Sequence, residues 1–292
     1  MKRFLAVSVS ILLALGSWLI GQDLPPTLIF SQIADGGGIR FELNLANSGH
    51  QSDTGTVFFR SGEGEPLELV VGGTARSSVS YTVPAGGAIS IKSDGEGETK
   101  TGYAVVQSDL VDSKLSGTIT YTLGEREVSV PSSPLSKQYH TYVERNSGAN
   151  SGIAFANPGS DTVEIEASLL RSDGSVLDEK EITLEPGHQL PRFINQIFDG
   201  VGSNFEGSLH ARSQNSFALV GLRQRTSGSR AILSGSTQAF TGSEPPMSPP
   251  LENPKSQRTV AVFPQIADGG GFVSEIFLTN SGATEDSGDI LI

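Results

Sequence analysis

The sequence contains no cysteine, only two methionines and one tryptophan among its 292 residues. Without cysteine, the chain has no disulfides, no thiol nucleophile and no cysteine-ligated zinc. Positive charge is also scarce, because 20 Lys and Arg oppose 32 Asp and Glu and leave a formal net charge of −12. An acidic surface repels phosphates and anionic lipid headgroups, so we expect no nucleic-acid partner and no stable membrane partner.

Glycine (35) and proline (15) are plentiful. In the segments between the turns, apolar and polar residues follow a pattern with a period of two. In 39–45 and 163–169, apolar residues alternate with polar ones, which places one set of side chains in a core. Turn motifs such as "NSG", "PAGG" and "NPGSD" recur roughly every ten residues. The pattern predicts an all-β fold of antiparallel β-sandwiches. The exception is a helical spacing near 192–198, which predicts a short helix.

The first 22 residues have the features of a secretory signal peptide. Lys2 and Arg3 precede an apolar run, and Gly16 offers a small residue for cleavage. The apolar stretch reaches Ile20, so a retained membrane anchor is the alternative. Cleavage is the reading we adopt, which makes the protein exported, with only transient membrane contact through segment 1–22. An exported chain without cysteine relies on its cores for stability.

An internal repeat organises the chain. The phrase "FSQIADGGG" (30–38) recurs as "FPQIADGGG" (263–271), and at the same offset Asn47 matches Asn280. A more divergent copy places Asn157 and Gly159 where the first has Asn47 and Gly49. The repeat predicts sandwich modules at 24–130 and 138–240, and the truncated start of a third module at 260–292.

Two linkers fit this division. Segment 131–137 is short and should hold the first two modules close, whereas 241–259 carries five prolines and should be an extended spacer. We expect modules 24–130 and 138–240, made separately, each to unfold cooperatively. Segment 260–292 holds only two or three strands of a sandwich. We expect it to be disordered or aggregation-prone by itself, as the start of an incomplete reading frame.

The phrases "FPQIADGGG…EIFLTNSG" and "RFINQIF…NFEGSLHARSQNSFALVGLRQRT" resemble tandem modules of exported and surface proteins from environmental bacteria. The resemblance covers nearly all of residues 28–292. It implies an Ig-like β-sandwich of about a hundred residues in each module. The family has no established activity, so the resemblance implies no catalytic residues.

A glycine run behind an aspartate can cradle phosphate only between a strand and a helix, with a lysine nearby. Here another alternating strand follows, so the pattern predicts tight turns without a ligand. The turn residues are Asp35, Gly36, Gly37 and Gly38 in the first copy and Asp268, Gly269, Gly270 and Gly271 in the last. The acidic turn 93–98 lacks the spacing of a calcium loop.

The four histidines, His50, His140, His188 and His210, are scattered singly and lack metal-ligand spacing. We therefore expect no metal and no cofactor. The serines lack a "GxSxG" context, and no two carboxylates stand out as a catalytic pair. The sequence thus favours a protein that is not an enzyme.

A basic cluster is the most suggestive candidate site. Its members are Arg212, Arg223, Arg225 and Arg230. Alternation puts Arg223 and Arg225 on one face, outward if Leu222 points inward, where they could hold an anionic polysaccharide or the carboxylates of another surface protein. Charge balance and protection of a strand edge are the alternative. Tyr139 and Tyr142 could add a sugar-stacking surface.

Together these features predict an exported, non-enzymatic repeat protein that acts as a surface, spacer or adhesion module. The alternative is a carbohydrate-binding accessory array of a larger secreted enzyme. Exposed coplanar aromatic rings beside a groove would favour the alternative, whereas smooth polar faces would favour the spacer. The sequence leaves the ligand and the oligomeric state open.

Overall fold

The computed structural model describes residues 28–124, 126–227 and 230–236, and the isolated positions Ile276, Leu278 and Ser287. Within this part of the chain there are seventeen strands, one short helix and only antiparallel strand pairs. The predicted all-β class is confirmed. Segment 1–22, linker 241–259, the turn Asp268 to Gly271 and nearly all of the predicted third module lie outside the described residues.

Two four-stranded sheets form the first sandwich. Its strands are β1 Leu28–Asp35, β2 Ile39–Asn47, β3 Asp53–Arg60, β4 Leu69–Val71, β5 Thr74–Arg76, β6 Ser78–Val83, β7 Ala88–Lys92, β8 Lys100–Ser108, β9 Leu115–Leu123 and β10 Arg126–Pro131. One sheet has the order β1-β8-β3-β6 and the other β10-β9-β2-β7, while β4 and β5 form a separate ribbon. The alternating apolar residues fill the space between the sheets, with Leu43, Leu45, Val57 and Phe59 fully buried.

A single long strand joins the two halves of the second sandwich. The elements are β11 Ser136–Arg145, β12 Ala149–Ala156, β13 Val163–Arg171, β14 Val176–Leu184, β15 Gln189–Phe193, α1 Ile194–Ile197, β16 Phe205–Ser227 and β17 Arg230–Ser236. Residues 205–213 of β16 pair with β11 and β13, whereas residues 218–227 pair with β12 and β17. The four residues of α1 lie inside the segment whose spacing predicted a helix.

The two sandwiches have the same pairing order. In the first, β8 lies between β1 and β3, and β9 lies between β2 and β10. In the second, the two parts of β16 take the places of β8 and β9, with β11, β13, β12 and β17 as the corresponding neighbours. The module boundaries at 24–130 and 138–240, and the independent folding of each module, stay predictions.

A buried asparagine fixes one corner of the first sandwich. The side-chain amide of Asn47, 4% exposed, donates to the carbonyls of Gln51 at 2.7 Å, Val83 at 3.2 Å and Pro84 at 3.3 Å. Its Oδ1 accepts from the N–H of Gly49 at 2.8 Å. A buried carbonyl without a hydrogen bond is costly, and the Asn47 amide supplies those bonds. It thereby links the end of β2 to the turn after β6.

Asn157 repeats this arrangement in the second sandwich. Its amide, 1% exposed, donates to the carbonyls of Asp161 at 2.8 Å, Leu184 at 3.0 Å and Glu185 at 3.1 Å. Its Oδ1 accepts from the N–H of Gly159 at 3.0 Å. The Asn and Gly residues that match in the sequence therefore make the same hydrogen bonds in both sandwiches.

The triple glycine forms the turn between β1 and β2. Gly36 and Ile39 pair across it, and Gly37 and Gly38 occupy its centre with φ of 63° and 86°, which favours glycine. A Cβ on Gly36 would lie 2.2 Å from the carbonyl oxygen of Glu98, so the turn packs directly on the acidic turn 93–98. The N–H groups of Gly37 and Gly38 donate into that acidic turn, and the glycine run thus has a structural use.

The two sandwiches share a buried junction. Ile29 and Tyr103 of the first form one apolar cluster with Ala156 and Ala218 of the second. The side-chain amide of Gln189, 7% exposed, donates across the junction to the carbonyl of Ser31 at 2.6 Å, to Oε1 of Gln32 at 2.9 Å and to the carbonyl of Gly102 at 3.0 Å.

Backbone contacts complete this junction. The Tyr103 hydroxyl donates to the carbonyl of Gly187 at 2.7 Å, and the N–H of Gln189 donates to the carbonyl of Gly62 at 2.9 Å. A Cβ on Gly64, whose φ is +84°, would lie 2.9 Å from the carbonyl oxygen of Gly187. The two turns can approach this closely because both residues are glycine.

Replacing either corner asparagine with the isosteric aspartate should destabilise the protein. Asn47→Asp or Asn157→Asp removes the N–H donors and sets a carboxylate against buried carbonyls, which should cost about 2–4 kcal/mol of unfolding free energy. Urea unfolding of the full chain provides the measurement. Asn44→Asp, at a half-buried position on the outer face of β2, is the control and should change stability by less than about 1 kcal/mol. Equal effects at all three positions would contradict the corner role.

Candidate functional site

The structure places the predicted arginines in different surroundings. Arg212 lies on the first part of β16 and is exposed. Its Nη2 is 2.5 Å and its Nε 2.7 Å from Oε2 of Glu166, on the neighbouring strand β13. Its charge is therefore already matched by a carboxylate. Surface pairs of this kind contribute little to stability because both partners keep most of their hydration.

The expectation that Arg223 faces outward is wrong. Its side chain is 14% exposed and forms an ion pair with Glu144, whose side chain is 8% exposed. Arg223 lies opposite Ser151 of β12, and the Ser151 hydroxyl accepts from the N–H of Glu144 at 2.9 Å. The fold therefore brings Arg223 and Glu144 together across two strands and covers both of them.

The four arginines do not form one described strip, because Arg212 and Arg223 lie on different halves of β16. For Arg225 and Arg230 the structure describes backbone pairing with β12 and across β16–β17. Anion binding by these four residues stays a prediction. A ligand would have to displace Glu166 from Arg212, and Glu144 from Arg223.

The expectation that Tyr139 contributes to a sugar-stacking surface is also wrong. Tyr139 is completely buried in the core, where its ring packs on Phe217 with centroids 5.0 Å apart. Its hydroxyl donates to the carbonyl of Pro134. Tyr142 is half-buried, and its hydroxyl lies 3.4 Å from Oε2 of Glu144. These two tyrosines therefore do not present a pair of rings to a sugar.

Two histidines that stand far apart in the sequence meet in the structure. His140 of β11 lies directly opposite His210 of β16, and the ring centroids are 3.3 Å apart. His140 is 3% exposed, and its Nε2 is 3.4 Å from Nε2 of Gln138. Sequence reasoning missed this pair because their contact depends on the register between strands 70 residues apart.

Burial keeps both imidazoles neutral near pH 7. It lowers the pKa of His210 to about 4, and repulsion from His140 adds to the effect. Burial likewise lowers the pKa of His140 below its usual value. Both rings are therefore flat, uncharged groups at neutral pH.

A shallow groove runs beside Arg212 on the outer face of β13 and β16. Its lining includes Thr162, Glu164, Glu166, Glu181 and Asn215. Among the described residues that line it there is no aromatic ring. The groove offers hydrogen-bond partners but no stacking platform, which distinguishes it from the arrangement that would favour sugar binding.

Within the described residues no group of three or more His, Asp or Glu side chains is placed to hold a metal ion. The described part also contains no helix with the length and apolar character needed to cross a membrane. The acidic turn 93–98 instead contacts backbone. The carboxylate of Asp94 accepts from the N–H of Gly73 at 3.1 Å, and Asp35 accepts from the N–H of Gly95 at 3.1 Å.

No protein-family profile and no curated protein matches the chain. Among solved structures, it is similar to a crystal structure of a serine-rich repeat protein from Streptococcus agalactiae. The identity is 9%, the match covers 73% of this chain and 93% of that chain, and the TM-score is 0.17. At this TM-score the likeness implies nothing about what this chain binds.

The two described arginines should differ in their effect on stability. Arg223→Ala leaves the buried carboxylate of Glu144 without its ion pair and should cost about 3 kcal/mol of unfolding free energy. Arg212→Ala removes an exposed pair and should cost less than about 1 kcal/mol. Urea unfolding of both variants is the measurement. Adding Glu144→Gln to Arg223→Ala should recover part of the loss, and equal costs for the two single variants would contradict the burial of Arg223.

The histidine pair should make stability depend on pH. Because the folded-state pKa of His210 lies near 4 and the unfolded value near 6.5, the unfolded chain binds more protons between these values. The contribution of His210 is therefore complete above about pH 6.5 and is lost as the pH falls toward 4. We expect the melting temperature of His210→Gln to fall less over this range than that of the parent chain. His50→Gln, at an exposed site, is the control, and an unchanged slope in His210→Gln would refute the assignment.

Proposed function

We propose that this chain is an exported, non-enzymatic repeat protein whose two β-sandwiches act as a rigid spacer or adhesion element at the cell surface. The observation that carries the proposal is the buried junction between the sandwiches. Two domains that move independently would need only a solvated linker between them. Here apolar groups and a three-way hydrogen bond instead fix one sandwich against the other.

The chemistry of the junction favours one orientation. Apolar contact between Ile29, Tyr103, Ala156 and Ala218 supplies attraction without direction. The Gln189 amide adds direction, because its acceptors belong to two strands of the first sandwich, β1 and β8. Rotating the sandwiches would leave these buried groups without hydrogen bonds, at a cost comparable to several net hydrogen bonds.

The described outer faces are polar and carry exposed ion pairs. Examples are Lys92 with Glu42 at 3.0 Å and Lys180 with Asp199 at 3.0 Å. With a net charge of −12, such faces keep the element soluble and discourage contact between copies. Export is supported by the signal-like segment 1–22, and the proposed partners are polysaccharides or other surface proteins. We propose no cofactor.

A second candidate function is carbohydrate binding as an accessory array of a larger secreted enzyme. The polar groove that includes Arg212 supports it through hydrogen bonding alone, since carboxylate, amide and guanidinium groups all hydrogen-bond to hydroxyls while no aromatic ring lines the groove. A glycan array at low salt tests it. Binding that is lost in Arg212→Ala and retained in Arg171→Ala, an exposed arginine at the end of β13, would support this function. Equal signals for both variants would exclude the groove.

The rigid junction makes a direct prediction. Because the chain has no cysteine, spin labels can be attached at Ser80→Cys in the first sandwich and Glu181→Cys in the second, both exposed. Pulsed electron–electron double resonance on the full chain should give one narrow distribution of the distance between the two spin labels. Gln189→Ala should broaden it, whereas Gln51→Ala, an exposed glutamine, should not. A broad distribution in the parent chain would contradict the rigid spacer.

A further inference from the structure

Each sandwich has an outer face formed by three matched strands. The strands are β2, β7 and β9 in the first sandwich, and β12, β15 and the second part of β16 in the second. Asn44 pairs with Thr118 on the first face, as Ala154 pairs with Val220 on the second. Asn44 and Ala154 each stand three residues before the corner asparagine of their sandwich. The register therefore matches the two faces residue by residue.

The face of the second sandwich is apolar and covered by the first sandwich. Ala154 and Val220 are each 3% exposed and belong to the same buried apolar cluster as the core of the first sandwich. Ala156 and Ala218 are fully buried in the junction cluster, and Leu222 packs on the core of the first sandwich. Apolar side chains at these positions let the first sandwich cover the face without burying an unpaired polar group.

The face of the first sandwich is polar and open. The residues matched to Ala154, Ala156, Ala218, Val220 and Leu222 are, in this order, Asn44, Ala46, Ser116, Thr118 and Thr120. Ser116 and Thr118 are exposed, and Asn44 and Thr120 are half-buried. The Thr120 hydroxyl lies 2.7 Å from that of Ser129. A neighbour that covered this face would remove hydroxyl and amide groups from water, at a cost wherever no new hydrogen bond forms.

The directional hydrogen bond is also missing from the first face. Gln189 of β15 pairs with Ala156, and Ala88 of β7 pairs with Ala46, so Ala88 holds the position of Gln189. Ala88 is exposed and has no side-chain amide to donate to a neighbour. The matched pairs that differ are Asn44 and Ala154, Ala88 and Gln189, Ser116 and Ala218, Thr118 and Val220, and Thr120 and Leu222.

We propose that these five positions decide whether a sandwich of this repeat binds a neighbour on this face, and that the first sandwich carries a version that binds none. The partner of the apolar version is the β1–β8 surface of a sandwich of the same repeat, which lies against it in the structure. The polar version stays in contact with water, as the outer face of a capping repeat does. This inference rests on the proposed rigid junction and adds the residues that decide it.

Exchanging residues on the second face tests their role in the junction. The release variant carries Ala154→Asn, Ala218→Ser and Val220→Thr, which are the residues of the first face. With spin labels at Ser80→Cys and Glu181→Cys in the full chain, this variant should lose the single narrow distance peak, because polar groups now lie under the junction. Val143→Thr, in the core of the second sandwich, is the control for a general loss of stability and should keep the peak.

The two possible failures of this experiment are distinguishable. A peak in the release variant as narrow as that of the parent chain would overturn the proposal and leave the rigid junction in place. A broad distribution in the parent chain would instead count against the rigid junction, and with it the proposed function.

The reciprocal exchange provides a second test that does not depend on the distance measurement. The receiving variant carries Asn44→Ala, Ala88→Gln, Ser116→Ala, Thr118→Val and Thr120→Leu, all on the outer face of the first sandwich. In a chain that combines the release and receiving sets, the β1–β8 surface is free to bind the new apolar face of another copy. Sedimentation velocity should then show association that increases with protein concentration.

Each set by itself is the control for this association. The receiving variant alone should sediment as the parent chain does, because its own second sandwich competes for the β1–β8 surface at a millimolar effective concentration. The release variant alone should also sediment as the parent chain does, because it has no apolar face to offer. No association of the combined chain, or equal association of the release variant alone, would overturn the proposal.

Discussion

The side-chain amide of Gln189 is the interaction on which the arrangement of the two sandwiches depends. Gln189 is the first residue of β15, and its amide donates to carbonyl acceptors on β1 and β8 of the first sandwich. A buried amide tolerates few alternatives, because each orientation without partners costs hydrogen bonds that water no longer supplies. The surrounding apolar contacts stabilise the junction, and Gln189 selects the orientation.

One buried asparagine fixes the same corner in each sandwich. Asn47 and Asn157 make the same set of hydrogen bonds even though most neighbouring side chains differ. The outer faces have diverged, as Ile29 and Val105 in one sandwich correspond to His140 and His210 in the other. The two sandwiches therefore share their corner hydrogen bonds and differ in their outer faces.

The strands were predictable from the sequence because burial on one face imposes a period of two. That rule places Leu43 and Leu45 in the core, where the structure has them. It does not say whether the opposite face is open to water. The alternation made Arg223 an outward residue only if Leu222 points inward, and the structure instead gives Arg223 a covered ion pair with Glu144, which lies 79 residues earlier in the chain.

Long-range register is what the sequence pattern could not supply. Tyr139 looked like a surface ring because it stands near the start of a strand beside polar residues, but it lies on the core face of β11 with Val143 and packs on Phe217. The contact between His140 and His210 likewise follows from a pairing between β11 and β16 that no local motif signals. The junction at Gln189 is of the same kind, since its partners lie 87 and 158 residues away.

Differential scanning calorimetry of the full chain tests the central claim, that the two sandwiches behave as one unit. If the junction couples them, they unfold in a single transition, with a calorimetric enthalpy equal to the van 't Hoff enthalpy. Gln189→Ala should then resolve this transition into two. Two separate transitions in the parent chain, unchanged by Gln189→Ala, would show that the sandwiches are energetically independent and would contradict the account.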